Sequence, residues 1–430
     1  MSEALARAVA LHQRGELKQA EAAYLRLLEA DHNNVDALHY LGVMRHQQGQ
    51  SMLGIDLVRR AIALRPDYVD ALNNLGNIYQ QIGGAASAAR AYEQALALRP
   101  DHPDAVRNLG VALRKLKRYE ESADAHQRAI AQEPGNVHNY YALAQVYKEM
   151  GRFDEAIETL QKALDVQPEP DGFRLRGQML YGLGRIEQAA ANYEAWLRLD
   201  AGSPIARHML AACTLKDIPA RAEDGFVTKV FDSFADSFDK VLHKLEYRAP
   251  ALIGVALQRS EGEPRGLLDI VDAGCGTGLL AQYLRPYARR LVGVDLSPRM
   301  LEKAADRAMY NQLVPAELAA FLRASPEAFD VVASSDTLVY FGDLGEAFAA
   351  ARRSLRPRGR LLFTVEHASE EAEAPAGYRL CPHGRYSHSE PYVRKCLAEA
   401  DFEVIEIETA HLRWEGGSYV KGLVVSARRA

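Results

Sequence analysis

The apolar positions of this chain fall into two regimes. Up to about residue 201 they recur at helical spacings inside a longer repeat. Leu41-Gly42, Leu75-Gly76, Leu109-Gly110 and Leu143-Ala144 stand 34 residues apart, and Gly177 opens a last copy one residue early. Turn positions follow seven residues later at Gly49, Gly83, Lys117, Gly151 and Gly184, with Gly15 one period before them. Small residues stand at Ala20, Gly54, Ala88, Ser122, Ala156 and Ala189, and Pro66, Pro100, Pro134 and Pro168 close the units. Each unit reads as helix, tight turn, helix: small residues let two helices approach, and proline stops the second because it cannot continue the hydrogen-bond ladder. One pair cannot bury its apolar face alone, so stacked copies share a core and form a solenoid. Pro204 to Leu215 reads as a closing helix.

After a connector, Lys216 to Lys229, Phe231, Phe234, Phe238, Val241, Leu242 and Leu245 take helical spacings and predict an amphipathic pair of helices. From Leu267 the pattern changes to short apolar runs alternating with helical stretches, as a parallel sheet with crossover helices requires. The expected strands are Leu267 to Ala273, Arg290 to Asp295, Gln312 to Ala316, Phe329 to Ser334 and a fifth within RPRGRLLFTVE; Phe402 to Thr409 and Tyr419 to Ser426 close the sheet as an antiparallel pair. The expected organisation is a solenoid over 1–215, linker and lid helices over 216–265, and an α/β domain over 266–430 with a seven-stranded, mostly parallel sheet.

The first strand runs into Asp272-x-Gly274-x-Gly276-x-Gly278. Alternating glycines let the backbone turn sharply and approach a bound molecule; a helix from Leu279 to Leu284 is expected to aim its free N–H groups at the same loop. The dinucleotide fingerprint G-x-G-x-x-G fails, because its third glycine would fall at Leu279, and a phosphate loop fails for lack of Gly-Lys-Ser/Thr. The second strand ends at Asp295, with Ser297 and Pro298 as helix-start residues, so that the acid sits at the strand's carboxyl edge, where ribose hydroxyls are bound in dinucleotide folds.

The glycine pattern resembles motif I of the class I S-adenosylmethionine-dependent methyltransferases, a Rossmann-like fold, and the N-terminal periodicity resembles the tetratricopeptide repeat. The first resemblance implies S-adenosylmethionine as cofactor, held by Asp272, Ala273, Gly274, Gly276, Gly278, Asp295, Leu296, Glu317, Leu318 and Ser335. Glu317 stands where the family usually has an aspartate for the adenine amino group. Ser335 to Tyr340 resembles motif IV, whose residues face the transferring methyl group, and is not the Asn/Asp-Pro-Pro-Tyr form of base and amide methylation. FD-x-x-A-x-x-FD before the glycine loop is similar to the family's cofactor lid. The second resemblance implies a peptide or protein in a concave groove, with Tyr40, Asn74, Asn108 and Tyr141 in the set of candidates, beside His39, Asn73 and Arg107.

For a base, His388 and Tyr340 are the candidates, followed by Glu366 and His367, because imidazole titrates near neutrality. The segment Glu366 to Ser389 is the expected acceptor lid; Cys381, His383 and His388 in it lack a fourth ligand at a familiar spacing, and no metal is expected. A formal net charge of -5 gives no basic excess toward nucleic acid, no apolar run has bilayer length, the N-terminus has no signal-peptide pattern, and four scattered cysteines suggest no disulfide framework. A cytoplasmic location is expected, and the oligomeric state is open. Three functions remain: a methyltransferase whose solenoid recruits a peptide or protein, a small-molecule methyltransferase with the solenoid used for assembly, and a non-catalytic cofactor-binding scaffold.

Overall fold

The computed structural model describes residues 2–368 and 376–430, so part of the expected lid segment, 369–375, lies outside the described residues. The chain divides into two compact units, Met1–Met179 and Leu180–Ala430.

The first unit is a run of helix pairs: Glu3–Gln13 with Leu17–Ala30, Val35–Gln47 with Ser51–Leu64, Val69–Gln81 with Ala85–Leu98, Pro103–Lys115 with Tyr119–Gln132, and Val137–Glu149 with Phe153–Val166. The small residues do what the repeat demands. A Cβ on Gly76 would lie 2.4 Å from the Tyr92 ring, and one on Gly110 would lie 2.7 Å from His126. The left-handed turn position holds glycine at Gly49, Gly83 and Gly151, but Lys117 at φ 61° in the fourth pair. An L-residue pays a steric penalty there.

The second unit begins with the helices Ile186–Leu199 and Pro204–Thr214, followed by Asp224–Phe234, Phe238–Lys244 and Ala249–Glu261. Among the described residues its sheet has nine strands: β1 Leu268–Ala273, β2 Ala288–Asp295, β3 Gln312–Pro315, β4 Phe329–Ser334, β5 Leu355–His367, β6 Tyr378–Leu380, β7 Tyr386–His388, β8 Phe402–Glu415 and β9 Ser418–Arg429. Strands β3, β2, β1, β4 and β5 pair in parallel in that order. On the far side β9 runs antiparallel to β5, and β8 to β9. These are the seven expected strands; the two extra ones, β6 and β7, are a hairpin whose second strand pairs in parallel with the end of β5 at Glu366 and His367. Both sheet faces are covered. Val271, Val292, Val332 and Phe363 pack into one apolar cluster, Ile270, Leu291, Val331 and Leu362 into the other, as the period of two along a strand dictates. Pro315 is tolerated because β3 is the edge strand.

Two expectations need correction. The helix after the glycine loop is a single turn, Ala281–Leu284, too short to direct a helix dipole at the loop. The closing hairpin runs well past Thr409, to Glu415, because polar residues alternate with apolar ones along an exposed edge where a sequence pattern gives no stop.

The connector is built into the second unit. Ala222 N donates to Tyr340 O at 2.8 Å, and Gly342 N and Asp343 N both donate to Ala220 O at 2.8 Å. Helix Pro204–Thr214 packs Ala211 and Ala212 on Leu380 and Tyr386 of the β6–β7 hairpin, with His208 Nε2 2.8 Å from Gly384 O.

Candidate functional site

At the carboxyl ends of β1, β2 and β4 the backbone opens a cavity of about 300 Å³. Its floor is the backbone of Gly274 and Gly276 with the Asp295 carboxyl; Leu296, Glu317 and Leu318 line one side, and Ser335, Asp336 and Thr337 another. Phe231, Phe234 and Phe238 supply aromatic walls, within 5.3–6.0 Å of one another. Gly276 at φ 53° is held by its N–H, which donates to Asp295 Oδ2 at 2.8 Å. Asp295 Oδ1 accepts from Ser297 N at 2.9 Å. Burial raises the Asp295 carboxyl above the usual range, and these amides partly offset it. Gly274 is needed for a second reason: a Cβ there would meet Thr337 Oγ1 at 2.1 Å, so only glycine lets the loop after β4 close against β1.

Of the sequence candidates, Gly274, Gly276, Asp295, Leu296, Glu317, Leu318, Ser335 and Tyr340 line this cavity, whereas Asp272, Ala273, Gly278 and His388 do not. Asp272 is buried behind the loop, its Oδ2 accepting from Tyr310 Oη at 2.7 Å and its Oδ1 without a partner among the described residues. Gly278, at φ 85°, packs on Tyr310 and Arg307 instead of facing the cavity. Glu317 uses its carboxylate to cap helix Leu318–Arg323, accepting from Ala319 N and Ala320 N at 3.0 and 2.7 Å. His388 is corrected as a base: its side chain is fully enclosed, Nε2 donates to Gly342 O at 3.2 Å, and burial lowers it to about 4. Glu366 is likewise committed. Burial raises it, but Arg385 and Arg413 outweigh that and hold it at about 2. Tyr340 faces the cavity, pushed up to about 12 by burial despite the nearby arginines.

The end of the cavity beyond Ser335 is ionic. Arg413 Nη1 donates to Asp336 Oδ2 at 2.8 Å and its Nε to Glu415 Oε2 at 2.9 Å, and its Nη2 pairs with Glu366. Arg385 Nε donates to Glu366 Oε1 and its Nη2 to Glu415 Oε2, both at 2.6 Å. Asp336 sits at φ 54°, a left-handed conformation held by Thr364, whose hydroxyl accepts from Asp336 N and donates to Asp336 Oδ1. Tyr247 Oη lies 2.9 Å from Ser335 Oγ. Asp336, Arg385, Arg413, Glu415 and Tyr247 all line the cavity; Asp336 falls in the stretch that resembles motif IV and Arg385 in the expected acceptor lid, whereas Arg413, Glu415 and Tyr247 carry no mark in the sequence reading. Arg413 and Glu415 were findable in principle, since a charge at alternate positions of β8 points both side chains to one face. Between them Trp414 donates its backbone N–H to Leu245 O at 2.6 Å.

In the first unit, Asn74 Nδ2 lies 2.8 Å from His39 Nε2, Asn108 Nδ2 donates to Asn77 Oδ1 at 2.9 Å, and Tyr141 Oη donates to Glu169 at 2.7 Å. Tyr40 stacks on Tyr24 at 6.4 Å. All four named candidates are half-buried; His39 and Asn73 are buried, His39 with its ring nitrogens on Tyr68 and Asn74.

A parallel sheet with a glycine loop after its first strand, an acid after its second and a ligand-sized cavity at their carboxyl ends has the architecture of a doubly wound α/β domain, here preceded by helical repeats. Residues 271–363 match the family model described as a methyltransferase domain. Residues 23–56, 73–137 and 114–179 match models described as tetratricopeptide repeats. The chain therefore joins tetratricopeptide repeats to a methyltransferase domain. It is similar to a malonyl-[acyl-carrier protein] O-methyltransferase of Salmonella typhimurium, 28% identical over 139 residues, 32% of this chain and 53% of that protein. It is also similar to human methyltransferase-like protein 27, 41% identical over 105 residues, 24% of this chain and 42% of that protein. The chain spans about half or less of the length of these relatives. Among solved structures, MamA is 26% identical with a TM-score of 0.36, over 39% of this chain and 95% of that one. YrrB, titled a TPR protein with an unusual peptide-binding site, is 22% identical with a TM-score of 0.36, over 39% of this chain and 87% of that one. Among the described residues no helix is long and apolar enough to cross a membrane.

Proposed function

We propose that this protein is an S-adenosylmethionine-dependent methyltransferase whose repeats recruit a peptide or protein bearing, or accompanying, the methyl acceptor. The observation that carries the cofactor is the shared cavity of Gly274, Gly276 and Asp295 with Ser335. The donor set fits the group: a carboxylate at the end of β2 for ribose hydroxyls, bare backbone where a side chain would obstruct it, Leu296 and Leu318 for an adenine face, and Glu317 beside them. When bound, the cofactor supplies a methyl group on a good leaving group. The chain's own contribution is then alignment and exclusion of water, which is worth up to roughly 7–11 kcal/mol. The aromatic wall of Phe231, Phe234 and Phe238 excludes water, and Ser335 with Tyr247 marks the border between the cofactor end and the ionic end. The relatives named for malonyl-[acyl-carrier protein] act, by that name, on a group borne by a carrier protein, which supports an acceptor delivered on another chain.

Calorimetry with S-adenosylhomocysteine tests the assignment. The wild-type chain is expected to bind it, and Asp295→Ala to weaken binding about tenfold or more through lost charge-assisted hydrogen bonds. Equal affinity in both chains would refute the site.

A further inference from the structure

We propose, building on that reading, that the ionic end of the cavity receives the acceptor as a carboxylate, gripped by the guanidinium of Arg385 and the hydroxyl of Tyr340. The argument is one of unspent hydrogen-bonding capacity. All three kinds of guanidinium nitrogen of Arg413 are engaged, with Asp336, Glu366 and Glu415. Arg385 commits only Nε and Nη2. Among the described residues its Nη1 and the Tyr340 hydroxyl carry no hydrogen bond, and both side chains line the cavity with Ser335. The carboxylates that share this wall, Asp336 and Glu415, already accept from Arg413. Two donors, Arg385 Nη1 and the Tyr340 hydroxyl, thus remain on this wall beside one uncommitted acceptor oxygen, Glu415 Oε1, since both bonds to that carboxylate end on Oε2, and a guanidinium edge beside a hydroxyl matches a carboxylate's two oxygens.

The same wall is poor in bases. Among the described residues no histidine, lysine or cysteine lines the cavity. His388 is buried and His383 is half-buried against Glu366, neither of them lining the cavity, and Asp336 and Glu415 are ion-paired. An alcohol or an ammonium must lose a proton before or during attack, and a carboxylate need not. The acceptor's oxygen forms the new O–C bond with its own lone pair, the electrons of the broken S–C bond stay on the donor's sulfur, and no proton is transferred. Three carboxylates against two arginines leave this end one negative charge in surplus. The surplus makes an ammonium the competing occupant, and the experiment separates the two.

The full chain is first titrated with S-adenosylhomocysteine, then, saturated with it, with butyrate, butylamine and butanol in turn. Butyrate is expected to bind, butylamine and butanol much more weakly. Arg385→Gln should lower butyrate affinity about tenfold or more, and Tyr340→Phe by about threefold to tenfold, with S-adenosylhomocysteine affinity unchanged. Tyr340→Phe decides the matter if Arg385→Gln does not fold. Butylamine binding as well as or better than butyrate overturns the inference, as does butyrate binding indifferent to both substitutions. Failure to bind S-adenosylhomocysteine removes the methyltransferase reading and this inference with it, whereas nucleoside binding without butyrate removes the inference alone.

Discussion

Asp272 closes β1 with its carboxyl sealed from solvent, one oxygen on Tyr310 and the other alone among the described residues. Burial first, and then the nearby Asp295 charge, push it up to about 7, against the pull of the Tyr310 hydroxyl. The sign follows from linkage. A carboxyl raised in the folded state holds a proton there that the unfolded chain releases near pH 4, so its stabilising effect is complete below that value and is lost as pH rises through 7. Carbon-13 resonances of aspartate carboxyls, assigned by their loss in Asp272→Asn, should show Asp272 titrating near pH 7; a midpoint near 4 would contradict its enclosure. The sequence marked Asp272 because it precedes the glycines, and the pattern was informative about chemistry but not direction. Asp295 reaches the cavity and Asp272 does not, since residues at strand ends differ in which side of the loop they face, and spacing alone carries no such information. His388 fails for the same reason: a neutral-range residue type in a loop says nothing of the carbonyl it will bond.

At the scale of elements, the repeat was legible because it is redundant: several copies state the same helix, turn and close approach. The redundancy also exposes a misfit. Tyr24, Tyr92, His126 and Leu160 fall in one 34-residue register of second helices, all fully or almost fully buried. His126 alone in that set holds two buried ring nitrogens without partners among the described residues, and burial lowers it to about 4. His126→Leu, which copies Leu160, should stabilise the chain by about 1–3 kcal/mol by removing unsatisfied polar groups, read as a higher urea midpoint. An unchanged or lower midpoint would show that the ring has a partner. The sheet was legible through its buried runs. The β6–β7 hairpin was not, because strands of three residues, Tyr378–Leu380 and Tyr386–His388, are too short to establish an alternation.

For the whole molecule, the end of the repeat pattern is not the end of a compact unit. The second unit begins at Leu180, and helix Pro204–Thr214 buries Ala211 and Ala212 on the hairpin that carries Arg385 near one of its strands. A chain beginning at Lys216 should therefore melt several degrees below one beginning at Leu180, since it exposes Leu380 and Tyr386 and strands the Gly384 carbonyl. Equal melting temperatures would mean that the helix is dispensable. Trp414, between Arg413 and Glu415 of β8 and bonded through its backbone N–H to Leu245 O, has one further consequence. The chain has two tryptophans, and the other, Trp196, is enclosed in helix Ile186–Leu199. One indole is thus enclosed and the other exposed against the Tyr419 ring, on the face of β8 turned away from Arg413 and Glu415, so their emission differs in colour and the protein carries its own fluorescent gauge of the closing hairpin without any attached dye.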